Sequence, residues 1–483
     1  MKHKKRSLIR YAGTLVFAAL VMLLPGRAAA AGSIYVNNGQ NTLDMNINSA
    51  YVIGAGGELS TAGGDYAITG DGIVKIGQAA GGGDSSQPAP ISGTVSIKQS
   101  TVKIGLFYKT GGSDTALSSA NLENKVGSGY QFGYYDSNRV FQPLASTNNT
   151  RITMTPSGTG RGVVVTATGT GTVLYANDSN AAYNLAVVPV SPLGKAVTWF
   201  KQKTYYGGFE YIRYNGSDKL TVVNVVDVED YVKGVIPYEM GAAWPLETLK
   251  AGAIAARCYV QYNYGKYSAY GFDIVNTASD QVYSGTNYAN TTTDAACDAT
   301  RNMYLAYNGK LVSAYYYAAN GGATENSENV WLNRLDYCRA KIDPYEQAID
   351  FYCKNWSKSF TAAEISDKLS YLGLGTVARI VPTYTEAGNI YKVEVFDTSG
   401  RSYVYSKAAC LTFLTKLGFP YTSMHFAVDY NMVSDTYTIT GSGAGHNVGL
   451  SQWGAYSMAK VYGKNFQEIL GFYYTGVTIS QGV

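Results

Sequence analysis

The sequence predicts a mixed α+β fold: a β-rich platform whose helices form a cleft, preceded by a β-rich accessory region. Three observations predict it. Residues 95–226 hold many short alternating apolar runs, such as 102–108, 162–165 and 220–226, separated by clusters of Gly, Asn, Ser and Asp. Residues 227–262 switch to helical periodicity, with Leu246, Leu249, Ala253, Ala256 and Val260 on one face. Residues 441–454 form a loop in which five glycines surround His446, and a helix opens near Ser451.

The elements follow in order. Residues 1–31 carry Lys2, Lys4, Lys5, Arg6 and Arg10, then a 14-residue apolar run from Tyr11 to Leu24, then Ala28 to Ala31. That run is too short for an ordinary membrane span. The segment reads as a cleaved secretory signal peptide, or else as an uncleaved anchor, the single route to the membrane. Residues 32–76 are polar, Gly-rich and weakly β, and 77–90 read as a flexible linker. Residues 91–226 are the β-rich first part of the main domain, and 227–483 its core.

Within that core, Met303 to Tyr307, the turn Asn308-Gly309 and Lys310 to Tyr317 predict a hairpin. It delivers Asn320, Gly321 and Gly322 to a loop. Residues 355–440 add a small region with strands near 390–396 and 437–440. Gly463 suits a helix C-cap, and Asn465 with Glu468 predicts a capping box for a last helix ending at 472–474.

Composition bounds function. The whole chain has 38 basic and 34 acidic residues, but six basic ones (the five above and Arg27) lie before residue 32, so the remainder has 32 against 34, a net of −2. Nothing in that balance marks a nucleic-acid binder. Charged residues are 15% of the chain, while Tyr reaches 43 and Gly 54, giving a hydroxyl-rich, aromatic surface. Such a surface suits contact with carbohydrate, and equally a secreted β protein with no sugar affinity. After residue 31 the only histidines are His425 and His446, which rules out a His-rich metal site. Five cysteines in an exported chain leave at least one free, and Cys338 with Cys353 is the expected disulfide.

The candidate acid is Glu239, in the stretch Gly-Val-Ile-Pro-Tyr-Glu-Met at 234–240, read as a short loop before a helix that begins at Pro245. A carboxylate desolvated among aromatic residues has a raised pKa and makes a general acid; one in water is merely structural. Arg257, on the following helix, is either a structural salt bridge or a neighbour of Glu239. His446, exposed by its Gly-rich loop, is either a structural or a site histidine. Packing of the helices after Asp227 and Ser451 is expected to bring Glu239 and His446 to one cleft.

Taken together these stretches resemble the stage II sporulation protein D and amidase-enhancer family. The resemblance rests on residues 228–240, on 244–257, on Gln281-Val282-Tyr283-Ser284-Gly285, on Gly321-Gly322 with Thr324-Glu325, on Asp343-Pro344 and on 445–455. It implies an exported lytic transglycosylase that cuts peptidoglycan glycan strands between N-acetylmuramic acid and N-acetylglucosamine and leaves 1,6-anhydro ends, with Glu239 as acid and base. Arg257, Tyr283, Asn320, Thr324, His446 and Gln452 are its expected substrate-binding residues. The alternative is a non-catalytic wall-binding protein that stimulates an amidase. The resemblance implies a secreted, extracellular, wall-associated protein, of sporulation or of vegetative growth. Family members carry Cys, His and Cys zinc ligands where this chain has Val275, Ser279 and Asp280, and a serine where it has Asn320, so no metal or other cofactor is expected.

Overall fold

The computed structural model describes residues 88–191 and 197–483, together with the backbone of short strands nearer the N terminus. The chain divides into two units, 1–85 and 86–483. In the first, Ser33–Asn37 pairs antiparallel with Thr42–Asn46, and Asp65–Thr69 with Gly72–Ile76. The expected signal segment lies, but for the backbone of Ile9–Arg10, outside the described residues, as do residues 77–87 of the expected linker. The last residues of the expected linker pack within the second unit. Ala89 is buried, and its backbone exchanges hydrogen bonds with Gln467.

The second unit is α+β. Its main sheet runs Phe141–Thr147, Gly129–Tyr135, Leu185–Val190, Gly208–Ile212, Thr221–Asp227, Thr101–Phe107 and Ile274–Val275. All these pairings are antiparallel except the last. A second sheet, of six strands from Val173–Asn177 to Lys203–Tyr205, shares a core with it through Leu122, Phe132, Ile152, Val165 and Phe209. Strands such as Val163–Ala167 bury alternate side chains, whereas the central strands Gly208–Ile212 and Thr221–Asp227 are buried on both faces.

The strand Thr221–Asp227 leads straight into helix α1 (Val228–Glu239), whose N-cap Asp227 accepts the Glu229 amide at 2.9 Å. Helix α2 (Leu246–Tyr262) follows, with Pro245 as its N-cap rather than its first helical residue. The small residues of α2 do what their size permits. A Cβ added at Gly252 would lie 2.5 Å from the flexible end of Met240, so glycine leaves room for that side chain where α1 ends. Next come α3 (Thr291–Ala299), α4 (Ser327–Val330), α5 (Ala362–Lys368) and α6 (Ala409–Leu417). The last two are α7 (Gln452–Lys460) and α8 (Phe466–Tyr473). Both α7 and α8 pack on α2, where Thr248 donates to the Ala455 carbonyl at 3.1 Å.

The first and last strands of the second unit meet in a four-stranded sheet, ordered Lys310–Leu311, Met303–Tyr307, Thr478–Gly482 and Ile91–Val95. Asn308 and Gly309 both have positive φ, as the predicted turn requires. The hairpin's second strand ends at Leu311, not Tyr317. The chain then leaves the sheet, and Tyr316–Tyr317 pairs in parallel with Leu450–Ser451 instead. That crossover sets the start of α7 beside residues far away in sequence. Helix α7 stops at Lys460, and Gly463 turns left-handed just beyond its C-cap, Val461. The capping box at Asn465 and Glu468 is present. Strands Ile390–Asp397 and Thr436–Gly441 lie in two small three-stranded sheets near α5 and α6.

All five cysteines are buried and free, so the expected Cys338–Cys353 bridge is absent. Cys338 packs in the main core, while Cys353 lies beside Tyr352. Spacing along the chain could not reveal that the two side chains enter different surroundings.

Candidate functional site

Glu239 is the last residue of α1, not a loop residue. The helix carries Pro237 in its final turn and ends two residues later. Tyr238 is 50% exposed and its ring meets Tyr288, whereas Glu239 is half-buried and Met240 is buried. One carboxyl group is thus held at the boundary between core and solvent.

Its contacts are both neutral donors. The Val282 amide donates to one oxygen at 2.8 Å, and the Gln452 side-chain amide makes a long contact of 3.5 Å with the other. Burial raises the Glu239 pKa above that of an ordinary carboxyl, and these two donors only partly offset the rise. Its place at a helix C-terminus acts in the same direction, because the partial negative charge there disfavours a second anion. Tyr231 and Tyr316 lie within electrostatic range of Glu239. Gln281 links those two phenols, accepting from Tyr231 at 3.1 Å and donating to Tyr316 at 2.9 Å. The arrangement can protonate a bound oxygen and take a proton back without unfolding anything.

Of the other expected site residues, Gln452 reaches Glu239. Sequence reading missed the Val282 amide as its other partner and the Gln281–Tyr316 pair nearby, although Gln281 and Val282 lie in a stretch already singled out. Arg257 does not reach it. Its guanidinium is wholly buried, pairs with Glu229 at 2.7 and 3.0 Å and donates to the carbonyls of Ala253, Met303 and Cys297. Glu229 lies ten residues before Glu239, about 15 Å along an α-helix axis. Of the two readings of Arg257, the structure selects the salt bridge.

Tyr283 is also a core residue; it is 1% exposed and its hydroxyl donates to Asn224 at 2.8 Å. Asn320 is fully buried, donating from its side chain to Asp343 at 2.7 Å and from its backbone to Glu346 at 2.8 Å. Thr324 is 1% exposed, and its hydroxyl donates to the Arg339 carbonyl at 3.1 Å and accepts the Lys341 amide at 2.8 Å. These three brace the loops of the site and leave no polar atom for a ligand. His446 is half-buried among Tyr315, Tyr317 and Trp331. Its Nδ1 accepts the Val448 amide at 3.1 Å, and its ring also hydrogen-bonds the Tyr316 backbone. Burial lowers its pKa to about 4, so the ring is neutral at neutral pH.

The zinc position of the resemblance does not fit a metal. Val275 offers no donor side chain. The Asp280 carboxylate is committed to the Val275 amide at 2.9 Å, the Tyr259 hydroxyl at 3.1 Å and the Lys266 ammonium. An acid and a lysine close this loop with hydrogen bonds.

The half-buried acid at a helix end, supported by a Gln at the start of a distant helix, defines a candidate acid–base site on an α+β domain. Comparison with known proteins places that domain. The family model for "Stage II sporulation protein" matches residues 216–307. An uncharacterized protein of Brachyspira hyodysenteriae is 38% identical over 284 residues, covering 57% of this chain and 72% of that protein. Stage II sporulation protein D of Bacillus subtilis is 32% identical over 278 residues, 54% of this chain and 76% of that protein. The amidase enhancer of Bacillus subtilis is 29% identical over 290 residues, 52% of this chain but 40% of that protein. The chain belongs to the stage II sporulation protein D and amidase-enhancer family.

Proposed function

We propose that this chain is an exported peptidoglycan lytic transglycosylase acting in the cell wall, with Glu239 as its single acid and base. The observation that carries the reading is the state of that carboxyl: half-buried at the end of α1, raised in pKa by burial, and held by two neutral donors. A general acid must hold its proton near neutral pH and still be reached by substrate.

The step balances with one carboxyl group. Glu239 donates its proton to the glycosidic oxygen as the bond from that oxygen to muramic C1 breaks, the bonding pair leaving with the oxygen. The C6 hydroxyl oxygen of the same muramic residue bonds to C1 and gives its proton to the Glu239 carboxylate. The products are a free hydroxyl on one sugar and a 1,6-anhydro ring on the other. No water is consumed, so no second carboxylate is needed; the nucleophile is already tethered to the reacting carbon. Gln452 and Val282 stabilise the carboxylate between the two proton transfers.

The second reading is a wall-bound partner of an amidase with no cutting of its own, favoured by similarity to a relative named for that property. Digestion of purified glycan strands and whole sacculi, with mass analysis of products, separates the two. Anhydro ends made by the wild type and lost in Glu239→Gln support the transglycosylase. No cutting by either form, with binding to sacculi and stimulation of an amidase retained, supports the second.

A further inference from the structure

Adjoining Gln452, which contacts Glu239, is a run of aromatic rings that the proton chemistry does not use. Trp453 follows Gln452 directly in sequence, and Trp244 lies five residues after Glu239. Their ring centroids are 4.9 Å apart. Phe351 stacks on Trp453 at 5.6 Å with 17° between planes, and Tyr352 meets Trp453 edge-on at 6.4 Å. Tyr421 continues the run 5.1 Å beyond Tyr352. These rings come from the loop after α1, the start of α7 and two further loops; Trp244 packs against the main core and the run extends outward from it. Tyr352 is 60% exposed, and the other four are half-buried.

A half-buried aromatic presents a flat apolar face with polar neighbours at its rim, which is what the C–H face of a pyranose ring needs. Chance exposure explains a single ring; it does not explain five in contact, contiguous with the candidate acid. Two fixed features hold the platform in register with Glu239. Trp244 packs over Gly241, where an added Cβ would lie 2.4 Å from the indole nitrogen. The Trp453 amide donates to the Ala318 carbonyl at 2.9 Å.

We infer that Trp244, Trp453, Phe351, Tyr352 and Tyr421 form a stacking platform that binds successive sugars of a glycan strand and sets which linkage reaches Glu239. The inference rests on the proposed function for its choice of occupant, a polysaccharide strand rather than a protein. Tyr352 and Phe351 are its positioning residues at the open end.

Binding is measured apart from cutting, with Glu239→Gln protein and peptide-free glycan strands as the probe, and the fold of each variant is checked by thermal unfolding. Adding Tyr352→Ala is expected to weaken binding about tenfold, and Tyr352→Trp to restore it. Tyr403→Ala, in the sheet containing Ser402–Ser406, serves as control and leaves binding unchanged. In the active protein, Tyr352→Ala raises KM more than it lowers kcat, which loss of fold would not do. Should Tyr352→Ala and Phe351→Ala together leave glycan affinity within twofold of the parent, the platform is overturned. A wild type that binds through the platform but makes no anhydro ends overturns the catalytic reading and leaves the platform standing.

Discussion

Glu239 and Glu346 are both carboxyl groups whose pKa is raised chiefly by burial, yet they sit in opposite circumstances. Glu346 is fully buried and its pKa is pushed up to about 8, with the Asp343 charge adding to desolvation. Its oxygens accept the Asn320 amide at 2.8 Å, the Gly321 amide at 2.9 Å and the Ser451 hydroxyl. Asp343 in turn accepts from Asn320 and, at 2.6 Å, from Tyr473. That pair is an internal strut, reaching the start of α7 through Ser451. Glu239 has fewer supports, one of them long, and an open side. A raised pKa therefore does not mark function by itself; unfilled bonding capacity facing solvent does.

The sharpest test of the contrast is to neutralise each acid. Glu239→Gln is expected to lower cutting by about 10²–10⁴-fold while leaving thermal stability nearly unchanged, because general acid–base catalysis is worth that much and the removed charge was poorly solvated. A variant that still cuts, followed by product mass, would end the comparison. Next in size is Glu229→Ala, which strands the Arg257 guanidinium in the core. Breaking a buried pair costs about 3–5 kcal/mol, measured by denaturant unfolding, and the fraction still folded keeps its catalytic competence.

The third test uses pH. Glu346 has a folded-state pKa near 8 against an ordinary value of 4.5, so the fold favours its protonated form. That contribution is complete below about pH 4.5 and is lost as pH rises toward 8. Unfolding free energy should fall across this window, and the slope should flatten in Glu346→Gln even though that variant starts lower. The smallest effect concerns Gln452. Its amide lowers the Glu239 pKa, so Gln452→Ala should move the alkaline limb of the pH–rate profile upward by less than about one unit, since a 3.5 Å contact is weak. An unmoved or downward-shifted limb would remove Gln452 from the site.

Much of this was readable from the chain. The N-caps at Asp227, Ser451 and Asn465 are local, because a side chain meets an amide two or three residues ahead. The Asn308-Gly309 turn is local for the same reason. Glu239 was visible as a candidate acid, but its place on the helix was misread. Pro237 reads as a breaker, yet it occupies the final turn, where the helix ends two residues later. The disulfide expectation failed because spacing does not fix where two side chains point. Among the expected substrate residues, Arg257, Tyr283 and Thr324 are family-matching positions that serve packing, as does Asn320 where the family has serine, and nothing in their identity distinguishes a buried brace from a contact.

By itself the sequence determined the α+β class, the helix start near Ser451, the capping box at Asn465, the family resemblance and Glu239 as the candidate acid. Each depends on residues close in sequence, whose hydrogen bonds and periodicity act over one or two turns. Only the tertiary structure decided that Gln452 meets Glu239 across 213 residues, that Glu229 neutralises Arg257, and that five aromatic rings share one surface. Those outcomes depend on which groups lose water together, and desolvation is a property of the packed chain that no local window contains.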